Sequence, residues 1–144
     1  MNAFFERIAP QVSACGIIPV FCPKNEAELD TFLKAVVPSP LKVVEITLRS
    51  RFAAEAVARI KREAPSLLVG AGTILSHELL DTAADAGADF LVSPGFSPAL
   101  LSRAKELSPS CPAWLRPPKS RTPFWTASPR SNSSPPSARA ESPR

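Results

Sequence analysis

Nowhere in this sequence do apolar residues run to the roughly 18 that a membrane-spanning helix needs, so no membrane partner is expected. The amino-terminal stretch MNAFFERIAPQV lacks the long apolar core of a secretory signal. It reads instead as a short amphipathic helix with Phe4, Phe5 and Ile8 on one side. Cysteine is scarce. Cys15, Cys22 and Cys111 show no metal-ligand spacing, and an odd count without an export signal fits reduced thiols in a cytoplasm. Histidine occurs once, and His77 stands near a helix start, where a solvated surface role is expected. With 144 residues there is room for one ordinary domain.

Acidic charge is lacking in one part only. Residues 1–107 hold eleven Lys/Arg against twelve Asp/Glu, a net −1. Residues 108–144 hold six Lys/Arg against Glu141 alone, a net +5. The formal +4 of the chain therefore belongs to its tail, and the front part offers no basic face for nucleic acid. The tail also has no glycine, nine of the seventeen prolines and nine serines. No apolar period survives there and the prolines forbid a useful helix, so 108–144 is expected to be disordered, apart from a domain at 1–107.

What the front part does have is one unit repeated four times, a short apolar strand followed by a helical pattern. The strands are expected at residues 17–22 (IIPVFC), 43–48 (VVEITL), 67–71 (LLVGA) and 89–93 (DFLVS). Leu29, Phe32, Leu33 and Val36 mark the first helix, with Asn25 as its N-cap. Phe52, Ala56, Val57 and Ile60 mark the second. The third covers about residues 77–86 after a Ser76 cap, and the fourth about 97–107. Strands apolar on both faces, alternating with amphipathic helices, mean parallel strands with right-handed crossovers. An open doubly wound sheet and a (β/α)8 barrel satisfy this equally.

Polar residues gather where the strands end. Glu45, Thr47 and Arg49 alternate along the second strand and so share one face. A buried carboxylate beside a guanidinium suits a general base with an anion grip, and suits a structural ion pair equally. Gly70, Ala71, Gly72 and Thr73 read as the turn after the third strand, where small residues let a backbone approach a ligand. Ser93, Pro94 and Gly95 read the same way after the fourth.

Taken in order, IIPVF, VVEITLRS, VGAGTIL and DFLVSPGFSPALL resemble the 2-keto-3-deoxy-6-phosphogluconate / 4-hydroxy-2-oxoglutarate aldolase family over about residues 10–107. The resemblance implies the first four βα units of a (β/α)8 barrel, which in the family is usually a homotrimer; half a barrel is not expected to assemble in that way. It also implies a class I lyase with no metal or cofactor, in which a lysine forms a Schiff base with a keto-acid substrate to release pyruvate and glyceraldehyde 3-phosphate. By the same resemblance Glu45 matches the proton-shuttling carboxylate, and Arg49, Thr73 and Pro94 match residues lining the pyruvate end of the pocket. Pro38, Ser39 and Pro40 replace a glycine-containing turn of the family.

The family's Schiff-base lysine belongs to a string like KFFPAE on strand six, and this chain has no such string. Synonymous codons can be chosen for 111–120 whose shifted reading spells PGVATPSEI, and for 129–137 whose reading in the same frame spells EVKFFPAE. Both resemble family strings, in the family's order. The tail is accordingly expected to be an out-of-frame reading that begins near residues 107–111, leaving an inactive polypeptide. The alternative is a genuine basic, proline-rich interaction segment, in which Arg116, Pro117, Pro118, Lys119 and Arg121 meet a polyproline-reading domain or nucleic-acid phosphates.

Overall fold

A computed structural model describes residues 8–95, 97–107 and 113–115, the last three through their backbone. In chain order the described elements are α1 (Ala9–Cys15), β1 (Val20–Phe21), α2 (Glu26–Val36), β2 (Val43–Thr47) and α3 (Ala53–Glu63). These are followed by β3 (Leu68–Gly72), α4 (His77–Asp85), β4 (Phe90–Ser93), α5 (Pro98–Leu107) and β5 (Ala113–Leu115). The strands form one sheet in the order β1-β2-β3-β4-β5, every neighbouring pair parallel.

Local chemistry sets the element boundaries. The helix begins at α2 because Asn25 Oδ1 accepts from the Glu28 N–H at 2.9 Å, while Glu28 Oε2 accepts from the Lys24 N–H at 2.9 Å; the two capping bonds satisfy donors the first turn leaves free. Ser76 caps α4 through the Leu79 N–H at 3.2 Å, and Ser97 Oγ accepts from the Leu100 N–H at 3.3 Å. Gly16 ends α1 with φ 69°, the left-handed cap that glycine adopts without steric cost. Before β2, the Pro38–Pro40 turn is held by Ser39, whose N–H and hydroxyl both donate to the Val36 carbonyl at 3.0 and 2.6 Å.

Two expectations change. The first strand is two residues long rather than six. Pro19 interrupts IIPVFC and has no N–H to give to a ladder, so it contributes only its carbonyl, which accepts from Glu45 N–H at 2.9 Å. The second change is at the far edge. The sequence offers no strand beyond residue 93, yet Ala113–Leu115 pairs with β4 in the register Leu91↔Ala113, Val92↔Trp114 and Ser93↔Leu115. The four residues between Pro112 and Pro117 are too few to display any period, but three of them are enough to complete a ladder offered by a free edge. The rest of the tail, and with it most of the out-of-frame expectation, lies outside the described residues, as do Phe4 and Phe5.

The core has two parts, one on each face of the sheet. Val44, Ile46, Val69, Ala71 and Leu91 meet the helices, including the α3 stripe Ala53, Ala56, Val57 and Ile60. Full burial of a Val or Ile side chain stabilises by about 1.5–3 kcal/mol, and Val57 and Ile60 are both fully enclosed. On the opposite face Ile8 and Val12 from the α1 end pack on Val43 and Phe90. Those two residues open their strands, so α1 covers the amino-terminal half of this face. The carboxyl-terminal half carries Glu45, Thr47, Gly70 and Gly72.

Ion pairs tie the units together. Arg59 of α3 reaches Asp30 of α2 at 2.6 Å and Glu63 at 2.7 Å. Arg103 of α5 reaches Asp81 of α4 at 3.1 Å. Lys61 of α3 meets the nearly buried Asp89 at 2.7 Å, and the same carboxylate oxygen accepts from the Val69 N–H at 2.8 Å.

Candidate functional site

In a parallel sheet all strands present their carboxyl ends along one rim, and ligands meet the sheet there. Three of the four site residues expected from the sequence lie on that rim. Arg49 follows β2, Thr73 follows β3 and Pro94 follows β4. The fourth, Glu45, stands within β2, two residues before its end, on the face that α1 leaves uncovered.

The structure joins Arg49 to Thr73: Arg49 Nε donates to Thr73 Oγ1 at 3.2 Å. It does not join Arg49 to Glu45. No ion pair forms between them, so the structural-pair reading of these two residues falls away. Arg49 keeps the remaining guanidinium donors for the rim. Below it Thr47, only 8% exposed, directs its hydroxyl to the Phe21 carbonyl at 3.5 Å, a long contact. Ser50 Oγ donates to the Pro23 carbonyl at 2.5 Å and links the turns after β2 and β1. Pro94 is exposed at the end of β4, beside a small turn in which Ser93 Oγ donates to the Gly95 carbonyl at 2.9 Å.

Thr73 is the only non-glycine residue with positive φ among the described residues, at 65°. A β-branched side chain is sterically penalised in that region, and such conformations concentrate where geometry serves a site. Here the turn aims the hydroxyl at Arg49. Nothing in the residue type announces this, and a sequence reading assigns Thr73 a hydroxyl without its backbone.

Glu45 is half-buried, and burial pushes its carboxyl pKa up from the ordinary value. Among the described residues no cation offsets the shift. A carboxyl group in this state holds its proton more readily than a solvated one and exchanges it closer to neutral pH, which is what general acid–base work requires.

The glycines of the GAGT string behave differently from expectation. β3 extends through Gly72, so Gly70 and Gly72 lie in the strand and the turn starts at Thr73. Neither has a positive φ. What they provide is room. A Cβ on Gly70 would run into the Phe90 ring, and a Cβ on Gly72 would run into the Glu45 carboxylate. The sequence shows two small residues on one strand face, but which side chains lean over them depends on register across three strands.

The chain has clear relatives. The family model for KDPG and KHG aldolase matches residues 8–113. The KHG/KDPG aldolase of Escherichia coli K12 is 38% identical over 90 residues, 62% of this chain and 42% of that protein. The 2-dehydro-3-deoxy-phosphogluconate aldolase of Zymomonas mobilis is 40% identical over 91 residues, covering 63% and 40%. Among solved structures, the KDPG aldolase of Legionella pneumophila, with pyruvate captured at low pH as a covalent carbinolamine intermediate, aligns with a TM-score of 0.60. It is 31% identical and is covered to 46%, against 67% of this chain. The chain thus spans less than half the length of these relatives. The family model nevertheless matches well over half of this chain, and the chain belongs to the KDPG and KHG aldolase family.

Proposed function

We propose that residues 8–107 form the keto-acid-binding and proton-handling side of a class I aldolase site, with Glu45 as the proton-transfer group and Arg49, Thr73 and Pro94 at the pyruvate end. The carrying observation is the Glu45 carboxyl, half-buried, paired with no cation among the described residues and raised in pKa, beneath a rim where Arg49 is held by Thr73. The reaction class is retro-aldol cleavage of a phosphorylated 2-keto-3-deoxy sugar acid to pyruvate and glyceraldehyde 3-phosphate. A lysine amine condenses with the keto group and releases water. The resulting iminium takes up the electron pair of the breaking carbon–carbon bond, and a carboxylate moves the protons. The covalent carbinolamine of the Legionella relative supports that chemistry for the family.

The lysine is what the described residues do not supply. Among the described strands none carries a lysine: Lys34, Lys61 and Lys105 are on helices, and Lys24 and Lys42 are in connections. The chain as it stands is therefore an inactive portion of a cytoplasmic keto-acid aldolase, its tail from about residue 108 read out of frame. In the same reading homotrimer assembly belongs to the intact family members rather than to this portion, and no nucleic-acid partner is involved.

The test has two arms. Incubating the purified chain with pyruvate and borohydride, followed by intact-mass measurement, is expected to give no specific pyruvyl adduct; a single modified lysine with turnover would overturn the inactivity. Sequencing the locus across codons 105–112 and expressing the shifted frame is expected to restore pyruvate release. That release should disappear in Glu45→Gln while borohydride trapping persists. Full activity of Glu45→Gln in the restored frame would remove Glu45 from the proposed role.

A further inference from the structure

Two glycines on one face of β3 stand two residues apart and look equivalent in the sequence. Their surroundings are not. Gly70 faces Phe90, which is 1% exposed and locked among Ile8, Val12 and Val43. A Cβ there would collide with the ring edge and lie 2.9 Å from Phe90 Cδ2. A buried ring in a close-packed cluster has nowhere to go. Gly72 faces the end of the Glu45 side chain. A Cβ there would collide with Oε1 and lie 2.9 Å from Cδ and 3.1 Å from Cγ. That side chain is long, flexible and half-buried, so it can swing away. Neither glycine is required by its own backbone, since neither has positive φ. The neighbour across the ladder is thus what each glycine accommodates.

We infer that Gly72 is a positioning residue: by presenting no side chain it seats the Glu45 carboxylate against the backbone of β3, near the rim that Arg49 and Thr73 occupy. Gly70, by contrast, is a packing residue. Adding a methyl group at 72 leaves the fold and relocates the carboxylate; adding one at 70 disturbs the core and leaves the carboxylate where it is. The inference concerns where the carboxylate lies, and holds whether or not that group moves a proton.

The experiment uses the 144-residue chain without substrate. The Glu45 carboxyl is titrated by carbon NMR in the parent, in Gly72→Ala and in Gly70→Ala. In Gly72→Ala the carboxylate leaves its buried seat, so its midpoint is expected to move down toward that of a solvated glutamate. In Gly70→Ala the midpoint stays with the parent while the urea midpoint of unfolding falls. A thermodynamic cycle guards against poor folding. Gly72→Ala is expected to lower the urea midpoint in the parent, but to leave it unchanged or raise it slightly in a Glu45→Ala background, where the collision no longer exists. An unmoved Glu45 titration in Gly72→Ala, or an equal cost of Gly72→Ala in both backgrounds, overturns the assignment. Because no readout is enzymatic, this failure is distinct from a failure of the aldolase reading.

Discussion

Replacing Thr73 tests whether the rim holds backbone strain. At φ 65° a threonine bears a penalty of about 1–3 kcal/mol. Thr73→Gly removes it. Against that, glycine loses more backbone entropy on folding, about 0.5–1 kcal/mol. The exposed hydrogen bond to Arg49 also goes, at the low end of the usual range, about 0.5 kcal/mol. The net lies between a loss of about 0.5 and a gain of about 2 kcal/mol, with its centre a stabilisation. Thr73→Ala loses the same hydrogen bond and keeps a side chain in the left-handed region, so it should be neutral to destabilising by about 1 kcal/mol. The expected order of stability is therefore Gly above Thr, and Thr level with or above Ala. Equilibrium urea unfolding of the three chains at low concentration, followed by far-UV circular dichroism, reads that order directly. A Thr73→Gly chain no more stable than Thr73→Ala would show that the turn is not strained.

Three further outcomes are expected. Burial raises the Glu45 pKa, so the folded chain binds that proton more tightly than the unfolded chain, whose carboxyl titrates near about 4.3. The contribution is fully present below the unfolded pKa and is lost as pH rises through the folded one, so Glu45→Gln should be more stable than the parent at neutral pH, with the advantage vanishing below about pH 4. Asp89→Ala strips both Lys61 and the Val69 N–H of a partner and should cost about 2–4 kcal/mol, whereas Lys61→Met leaves the Val69 bond intact and should cost about 1 kcal/mol or less. Equal losses in urea unfolding would contradict that division. Finally, β1 is an exposed edge with Val20 61% accessible, so the chain should self-associate with concentration on size-exclusion chromatography, and Val20→Lys should reduce this. A parent chain monomeric at every concentration would refute it.

Much of this architecture is legible in the residues, because parallel strands covered on both faces leave unbroken apolar runs. β2, β3 and β4 fall within a residue of where VVEITL, LLVGA and DFLVS place them. The caps Asn25 and Ser76 are legible for the same local reason, since each acts on an N–H three residues away. Legibility ends where the cause is distant. Pro19 shortens β1 because the ladder to β2 takes its carbonyl but finds no N–H beside it. The space at Gly72 is filled by a side chain 27 positions earlier, and Asp89 finds Lys61 across 28 positions. The site shows both cases. Glu45 and Arg49 could be placed on one face by alternation alone, yet that Arg49 turns to Thr73 rather than to Glu45 follows from a turn whose φ no residue type predicts.

Strand order equal to chain order has a consequence for synthesis. Successive described strands begin 23, 25, 22 and 23 residues apart, and among them each pairs with its predecessor and its successor alone. Every new ladder therefore closes a loop of similar, modest length, and none must wait for a segment made much later. At about 5–20 residues per second a ribosome releases such a unit every few seconds, time enough for a small βα unit to dock at the milliseconds-to-seconds pace of such topologies. Assembly can follow translation step by step, with the last strand laid down as the template for the next.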